Sequence, residues 1–168
     1  MNVLLRTIAR FGVIALLLGA LSGCGDAEVA PDSTFVLLDG RTVKTADMRG
    51  QVVLVNFWAT TCTSCVAEMP ELIAMYDKFS ARGFETVAVA MSYDTPAFVS
   101  RFAQTRKLPF KVAIDNTGEV AKSWGDVRLT PTTYLVDKQG RVVKRFVGPP
   151  EFEALHQLID ELLKAPSA

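Results

Sequence analysis

The sequence has 168 residues, enough for one domain, and balances 18 lysines and arginines against 18 aspartates and glutamates. This balance and the absence of a basic cluster in the sequence are not typical of a nucleic-acid-binding protein, so we expect no nucleic-acid partner. Apolar residues make up 49% of the chain, a high fraction that the first residues inflate.

Residues 1–23 have the pattern of a secretory leader. Arg6 and Arg10 form a positively charged start, and the apolar stretch over 11–21 carries no charge. About ten apolar residues are too few to span a bilayer of about 30 Å, which favours a cleaved signal peptide over a retained membrane anchor. Because the leader holds two basic residues and no acidic one, the rest of the chain has a net charge of −2.

The leader ends in Leu-Ser-Gly-Cys, which resembles the bacterial lipobox, and its cysteine is Cys24. In that motif the cysteine is lipidated and becomes the new N-terminus. An ordinary secretory leader would leave Cys24 as an exposed thiol in an oxidising compartment. We therefore expect a lipidated Cys24, a tether over 24–33 and one domain over 34–168. The domain would be anchored in the cell envelope and face the periplasm, with the choice between inner and outer membrane left open.

Apolar periodicity and turn residues predict the elements of this domain. A hairpin is predicted around Asp39-Gly40, since Asp-Gly favours a tight turn between two strands. The other elements follow in chain order: strand 52–58, a helix from Cys62 to just before Gly83, strand 84–91, a helix from Thr95, strand 110–114, helix 118–124, strands 132–136 and 141–147, and helix 151–164. Strands that alternate with helices predict an α/β fold, with a central, mainly parallel sheet that ends in an antiparallel hairpin and has helices on both faces.

Cys62 and Cys65 form a Cys-x-x-Cys pair that admits three interpretations: a structural disulfide, part of a metal site, or a redox pair. A bridge that closes so short a loop contributes little stability. With one histidine, two cysteines cannot complete a structural zinc site without carboxylates, so we expect no metal. A helix N-terminus stabilises a thiolate at Cys62, and Cys65 follows nearly one turn later on the same face. This favours the redox pair.

The stretch from Val53 to Cys65, continued by Glu68 and Pro70, resembles the active-site strand and helix of the thioredoxin superfamily. It is most similar to the membrane-tethered TlpA-like branch, which includes ResA-type reductases. Asn56, Glu68 and a helical insertion near residues 92–124 match that branch, and the resemblance runs from about residue 32 to the C-terminus. It implies a thioredoxin fold with a mixed sheet, an N-terminal hairpin and this insertion.

Two positions depart from the pattern of the branch. Thr61 replaces the tryptophan that usually precedes the first cysteine, and Thr63-Ser64 matches neither strong reductants nor strong oxidants. The direction of electron flow therefore follows less directly from the sequence than the chemistry does.

The resemblance also implies the roles of the site residues. Cys62 attacks a substrate disulfide, and Cys65 resolves the mixed disulfide. Glu68 is a partly buried acid that accepts a proton from Cys65. The alternative is that Glu68 is a solvated helix residue with no role in the reaction. Thr130 and Pro131 form a cis peptide that lies against the cysteines and binds an extended substrate.

The same resemblance completes the expected site and its partners. Trp58 is assigned to the substrate-binding region and packs under the active site. We expect a monomer that needs no cofactor, acts on protein disulfides and is re-reduced by a membrane electron donor.

Two other functions remain as alternatives. A peroxiredoxin-like peroxidase usually carries proline seven residues before the reactive cysteine and threonine or serine three before it, where this chain has Val55 and Ala59. A copper chaperone would use the two thiolates as soft ligands. Related carriers add a histidine near the closing hairpin, whereas His156 lies in the last helix, where we expect an ordinary surface residue.

Overall fold

The computed structural model describes residues 28–166. The predicted leader over 1–23 and Cys24 lie outside these residues. The strands are β1 (Thr34–Val36), β2 (Thr42–Lys44), β3 (Val52–Trp58), β4 (Phe84–Ala90), β5 (Lys111–Ile114), β6 (Thr132–Val136) and β7 (Val142–Val147). The helices are α1 (Thr63–Phe79), α2 (Pro96–Arg106), α3 (Glu119–Ser123) and α4 (Phe152–Lys164), with short 3-10 turns at Thr45–Met48 and Ser80–Arg82.

The five longer strands form one mixed sheet in the order β5-β4-β3-β6-β7. β3 pairs in parallel with β4 and antiparallel with β6, so it lies at the centre with both edges hydrogen-bonded. β1 and β2 form the separate N-terminal hairpin. This arrangement confirms the thioredoxin fold with a mixed sheet, the hairpin at the start, and α2 and α3 inserted between β4 and β6. The sheet is less parallel than the order of elements predicted, because β6 pairs antiparallel with β3 as well as with β7.

Both faces of β3 are buried, and alternate side chains enter two different cores. Leu54 and Trp58 pack with apolar residues of α1, α2 and α4. Val55 and Phe57 pack on the opposite face with residues of the hairpin and α3. A strand covered on both faces has no polar alternation, which explains the continuous apolar pattern of residues 52–58. Helices thus lie on both faces, and the three long ones share one face.

The last helix differs from expectation at one residue. His156, predicted to be an ordinary surface residue, is half-buried, and its ring lies edge-on to Phe79 with the centroids 5.7 Å apart. Its buried Nε2 has no hydrogen-bond partner in the described chain. Burial, aided by the nearby charge of Lys78, lowers the pKa of this imidazole below its usual value.

Within residues 28–166, no helix has both the length and the apolar character needed to cross a membrane.

Candidate active site

Cys62 lies at the junction between the central strand and a 17-residue helix. β3 ends at Trp58 and α1 begins at Thr63, so Cys62 occupies the N-cap position of the helix. Its Sγ accepts a hydrogen bond from the backbone N–H of Cys65 at 3.2 Å. This N–H belongs to the first helical turn, where backbone donors lack intrahelical partners. The donor and the partial positive charge of the helix terminus both stabilise a thiolate at Cys62.

Cys62 and Cys65 are joined by a disulfide, with their Cα atoms 5.2 Å apart. Cys62 is partly exposed, whereas Cys65 is fully buried. Thr63 and Ser64 between them are exposed, and Ser64 Oγ lies 3.5 Å from Cys62 Sγ. An incoming substrate therefore has access to Cys62, while Cys65 is reachable only from within the protein.

A buried polar cluster lies one turn below the disulfide. Glu68 on α1 is 4% exposed, and its Oε1 accepts a hydrogen bond from Asn56 Nδ2 at 2.9 Å. Asn56 Nδ2 also donates to Thr133 Oγ1 of β6 at 3.0 Å. Glu68 Oε2 and Asn56 Oδ1 have no partner among the described residues. Glu68 is therefore not a solvated helix residue.

The environment of Glu68 changes its protonation. Loss of solvation on burial raises the pKa of Glu68 from 4.5 to about 7, although the hydrogen bond from Asn56 acts in the opposite direction. Glu68 follows Cys65 by three residues, so the two side chains share one face of α1. A carboxyl that titrates near neutral pH can exchange a proton with a buried thiol at this position.

The loop that carries Thr130 and Pro131 leads directly into β6. The Thr130–Pro131 peptide bond is cis, as expected. Phe57 and Thr132 form the last pair of the antiparallel β3–β6 ladder, so Pro131, one residue before Thr132, lies near the end of β3 that leads into Cys62. Thr130 is half-buried, and its hydroxyl lies 3.4 Å from the hydroxyl of Tyr93.

Trp58 has no exposed surface and packs against Phe102 of α2, with ring centroids 5.1 Å apart. Trp58 belongs to the same apolar core as the buried Cys65, so its side chain lies beneath the surface of the site.

Sequence reasoning missed the residue that anchors the active-site loop. Buried Asp94 accepts hydrogen bonds from the backbone N–H of Thr60 at 2.5 Å and from the Thr60 hydroxyl at 2.7 Å. It also accepts from the N–H of Thr95 at 2.9 Å. The available signal was the Asp-Thr-Pro start of α2, because aspartate before a helix commonly binds free backbone N–H groups.

The sequence signature of the redoxin family matches residues 25–159. The thiol-disulfide oxidoreductase ResA of Bacillus thuringiensis subsp. konkukian is 34% identical over 133 residues, covering 79% of this chain and 76% of ResA. The chain belongs to the redoxin family, among the ResA-type thiol–disulfide oxidoreductases. Membership of this family identifies Cys62 and Cys65 as a redox pair for thiol–disulfide exchange.

Solved structures agree with this ResA-type assignment. A Chlorobium tepidum protein described as the thiol:disulfide interchange protein DsbE is 33% identical, with a TM-score of 0.75 over 82% of this chain and 96% of that one. The pneumococcal exposed lipoprotein thioredoxin of Streptococcus pneumoniae is 26% identical, with a TM-score of 0.68 over 78% and 99% of the two chains. These similarities favour disulfide exchange over the peroxidase and copper-chaperone alternatives.

Proposed function

We propose that this ResA-type oxidoreductase reduces protein disulfides outside the cytoplasm, with Cys62 as the nucleophile and Cys65 as the resolving thiol. The observation that carries these roles is the difference in access: Cys62 is partly exposed at a helix N-cap, and Cys65 is fully buried one turn later. Thiol–disulfide exchange needs this division, since the first thiolate meets the substrate and the second attacks only the mixed disulfide.

The reaction proceeds in two exchanges. The Cys62 thiolate attacks one sulfur of a substrate disulfide, the substrate S–S bond breaks, and the other substrate sulfur leaves as a thiolate. Cys65 then attacks Cys62 Sγ, the Cys62–Cys65 bond forms, and the remaining substrate sulfur leaves as a thiolate. The substrate gains two electrons and this protein loses two. A membrane-bound dithiol donor restores the reduced pair.

Glu68 serves as the proton acceptor for Cys65 in the second exchange. Its pKa of about 7 lets it exist in both protonation states near neutral pH. Asn56 holds one carboxylate oxygen by its hydrogen bond, so the other oxygen stays without a protein partner in the described chain. That free oxygen is the proton-accepting atom.

Thr130 and Pro131 form the substrate-binding edge. The register of β3 and β6 supports this role, because it brings Pro131 to the end of β3 that leads into Cys62. The backbone of Thr130 pairs with an extended segment of the substrate, as a strand added to a sheet edge does.

The proposed location is the cell envelope, with residues 1–23 as a lipoprotein signal peptide, Cys24 as the lipidated N-terminus and 24–33 as the tether. The pneumococcal neighbour, described as an exposed lipoprotein, supports this placement. Envelope proteins with essential thiols, such as apocytochromes c and metal-site assembly proteins, are the proposed substrates, and the protein acts as a monomer.

A trapping experiment tests the exchange and its direction. A full-length Cys65→Ser variant is expected to accumulate mixed disulfides through Cys62, because the resolving thiol is missing. The captured proteins should be oxidised in cells that lack this protein. The Cys62→Ser, Cys65→Ser double variant is the matched control. Equal capture by the control, or captured proteins that become more reduced in its absence, would contradict the proposal.

The anchor is tested separately by fractionation of cells that express the full chain. The wild-type protein should sediment with membranes and incorporate labelled fatty acid. A Cys24→Ser variant should lose the label, because lipidation requires the cysteine sulfur. Labelling of the Cys24→Ser protein at the wild-type level would exclude Cys24 as the attachment site.

A further inference from the structure

An open groove of about 420 Å³ lies beside the active-site loop. Thr60 and Thr61 form one wall, immediately before Cys62, and α2 forms the other. Phe98 and Phe102 of α2 give this wall its apolar character. Phe98 is 61% exposed, so its ring meets solvent at the position where a partner would lie. Thr61 carries a small side chain here, which leaves the space between the loop and α2 unfilled.

The rim of the groove is positively charged. Arg101 and Arg106 both line it, and Arg106 also stacks over Phe102 with 5.7 Å between the guanidinium carbon and the ring centroid. Neither arginine forms an ion pair with a carboxylate within residues 28–166. Residues 95–114 contain four basic residues and no acidic one, although the whole chain is balanced. The groove therefore presents free positive charge next to apolar surface.

Two further apolar side chains are exposed in loops that neighbour the site. Tyr93, in the loop before α2, is 60% exposed, and Leu129, in the loop before β6, is 66% exposed. Tyr93 links these loops through its contact with Thr130. Exposed apolar side chains in loops around a reactive centre are typical of a surface that binds another protein.

We propose that this groove selects the substrate by an apolar side chain and an adjacent carboxylate in the segment that carries its disulfide. The inference rests on the proposed function and specifies its substrate class. The apolar side chain packs against Phe98 and Phe102, and the carboxylate pairs with Arg101 or Arg106. Planar guanidinium groups suit this recognition, because they bind a carboxylate through two parallel hydrogen bonds, and that of Arg106 already lies over the ring of Phe102.

The position of the groove limits where the selected side chains lie. Thr60 precedes Cys62 by two residues, and two residues span at most about 7 Å. The selected pair therefore lies within about three residues of the attacked cysteine in an extended substrate. An extended polypeptide can place an apolar side chain and a carboxylate at this distance from its cysteine. The groove contacts only this segment and not the folded remainder of the substrate.

The test uses the reduced full chain and two peptides of equal length, each with one disulfide. One peptide carries Phe-Glu beside the attacked cysteine and the other carries Ser-Lys. Wild-type protein is expected to reduce the Phe-Glu peptide with about tenfold higher kcat/KM, the effect of one buried phenyl ring and one exposed ion pair. Equal rates for the two peptides would overturn the inference.

Charge reversal locates the selectivity. Arg101→Glu and, separately, Arg106→Glu should reduce or invert the preference for the Phe-Glu peptide. Both residues are exposed, and near-ultraviolet circular dichroism confirms that each variant is folded. Lys144→Glu, the same charge change at an exposed position of β7, should keep the wild-type preference. A preference that survives both arginine changes, or is lost equally in Lys144→Glu, would overturn the inference.

A small disulfide without side chains separates this inference from the function beneath it. If wild-type protein reduces the small disulfide but does not discriminate between the peptides, the groove proposal fails and the exchange function stands. If it reduces neither the small disulfide nor the peptides, both fail.

Discussion

Burial changes the chemistry of Glu68, and Asn56 is the residue that contacts its carboxyl. A neutral amide beside the carboxyl supplies one hydrogen bond to it and no charge. The carboxyl therefore loses water without gaining a cation, and its pKa rises to about 7. A charged partner at position 56 would change the titration of the whole cluster.

Replacing Glu68 by glutamine should move the titration of Cys65 to lower pH. Above neutral pH the wild-type carboxylate is ionised, and a nearby negative charge opposes formation of a second one on the thiol. Thiolate absorbance of the reduced protein against pH measures the change. Glu71→Gln, an exposed change in the same helix, should leave the curve in place. Superimposable curves for wild type and Glu68→Gln would remove Glu68 from the mechanism.

Glu68 also makes folding stability depend on pH. The pKa of Glu68 is about 7 in the folded protein, whereas the ordinary value is 4.5. Between pH 4.5 and pH 7 the folded state therefore binds more protons than the unfolded state. The free energy of unfolding consequently falls as pH rises through this range. The full effect is about 3 kcal/mol, complete above the folded pKa. Urea unfolding of the oxidised protein at several pH values should show this slope in wild type and Glu71→Gln. An equal slope in Glu68→Gln would contradict the assignment.

At the level of elements, the start of α2 holds the active-site loop in place. Thr95 is the N-cap of α2, and its side chain forms no capping hydrogen bond. The preceding residue, Asp94, binds the N–H of Thr95 and the backbone and side chain of Thr60 together. One carboxylate thus connects the inserted helix to the segment that precedes Cys62.

Asp94→Ala should destabilise the protein by about 1–3 kcal/mol, because it leaves the backbone N–H groups of Thr60 and Thr95 without their charged acceptor in a partly buried place. Asp94→Asn, which keeps one carbonyl acceptor, should recover part of the loss. The free energy of unfolding in urea measures both. Asp39→Ala in the exposed hairpin turn is the control and should have little effect. A loss no greater than that of the control would contradict the anchoring role.

For the molecule as a whole, β3 is the layer that both cores share. The core on the side of the long helices contains Leu72 of α1 and Leu155 of α4, each 1% exposed. The core on the other side contains Phe35 of the hairpin and Trp124 after α3. Apolar burial on both sides holds the strand that leads into Cys62, so the site depends on the packing of the entire domain.

Leu72→Ala should cost about 2–5 kcal/mol of unfolding free energy, because it removes buried methyl groups and leaves a cavity between α1 and the sheet. Val147→Ala on β7, where the side chain is 56% exposed, should stay within about 0.5 kcal/mol of wild type. Thermal and urea unfolding compare the two. A change below 1 kcal/mol for Leu72→Ala would contradict the packing described for this core.

Local pattern was enough to predict most of the elements. The strands over 52–58 and 132–136 have the predicted bounds, and the last helix begins one residue later than predicted. Apolar periodicity, turn residues and caps act over a few positions, so the sequence carries them directly. The Cys-x-x-Cys at a helix start is a local feature of the same kind. The cis bond at Pro131 followed from the family resemblance rather than from any local pattern.

The sequence by itself determined the α/β order of elements, the placement of Cys62 at a helix N-terminus and the redox character of the pair. Only the tertiary structure decided that Asn56 binds Glu68, that Asp94 binds Thr60 and that Trp58 is fully buried. It also decided that α2 leaves a groove beside Thr61 that is lined by both aromatic rings and arginines. The hydrogen bonds among these features join residues that are 12 and 34 positions apart in the sequence. Their hydrogen bonds, burial and pKa values arise from packing between elements, which no local pattern encodes.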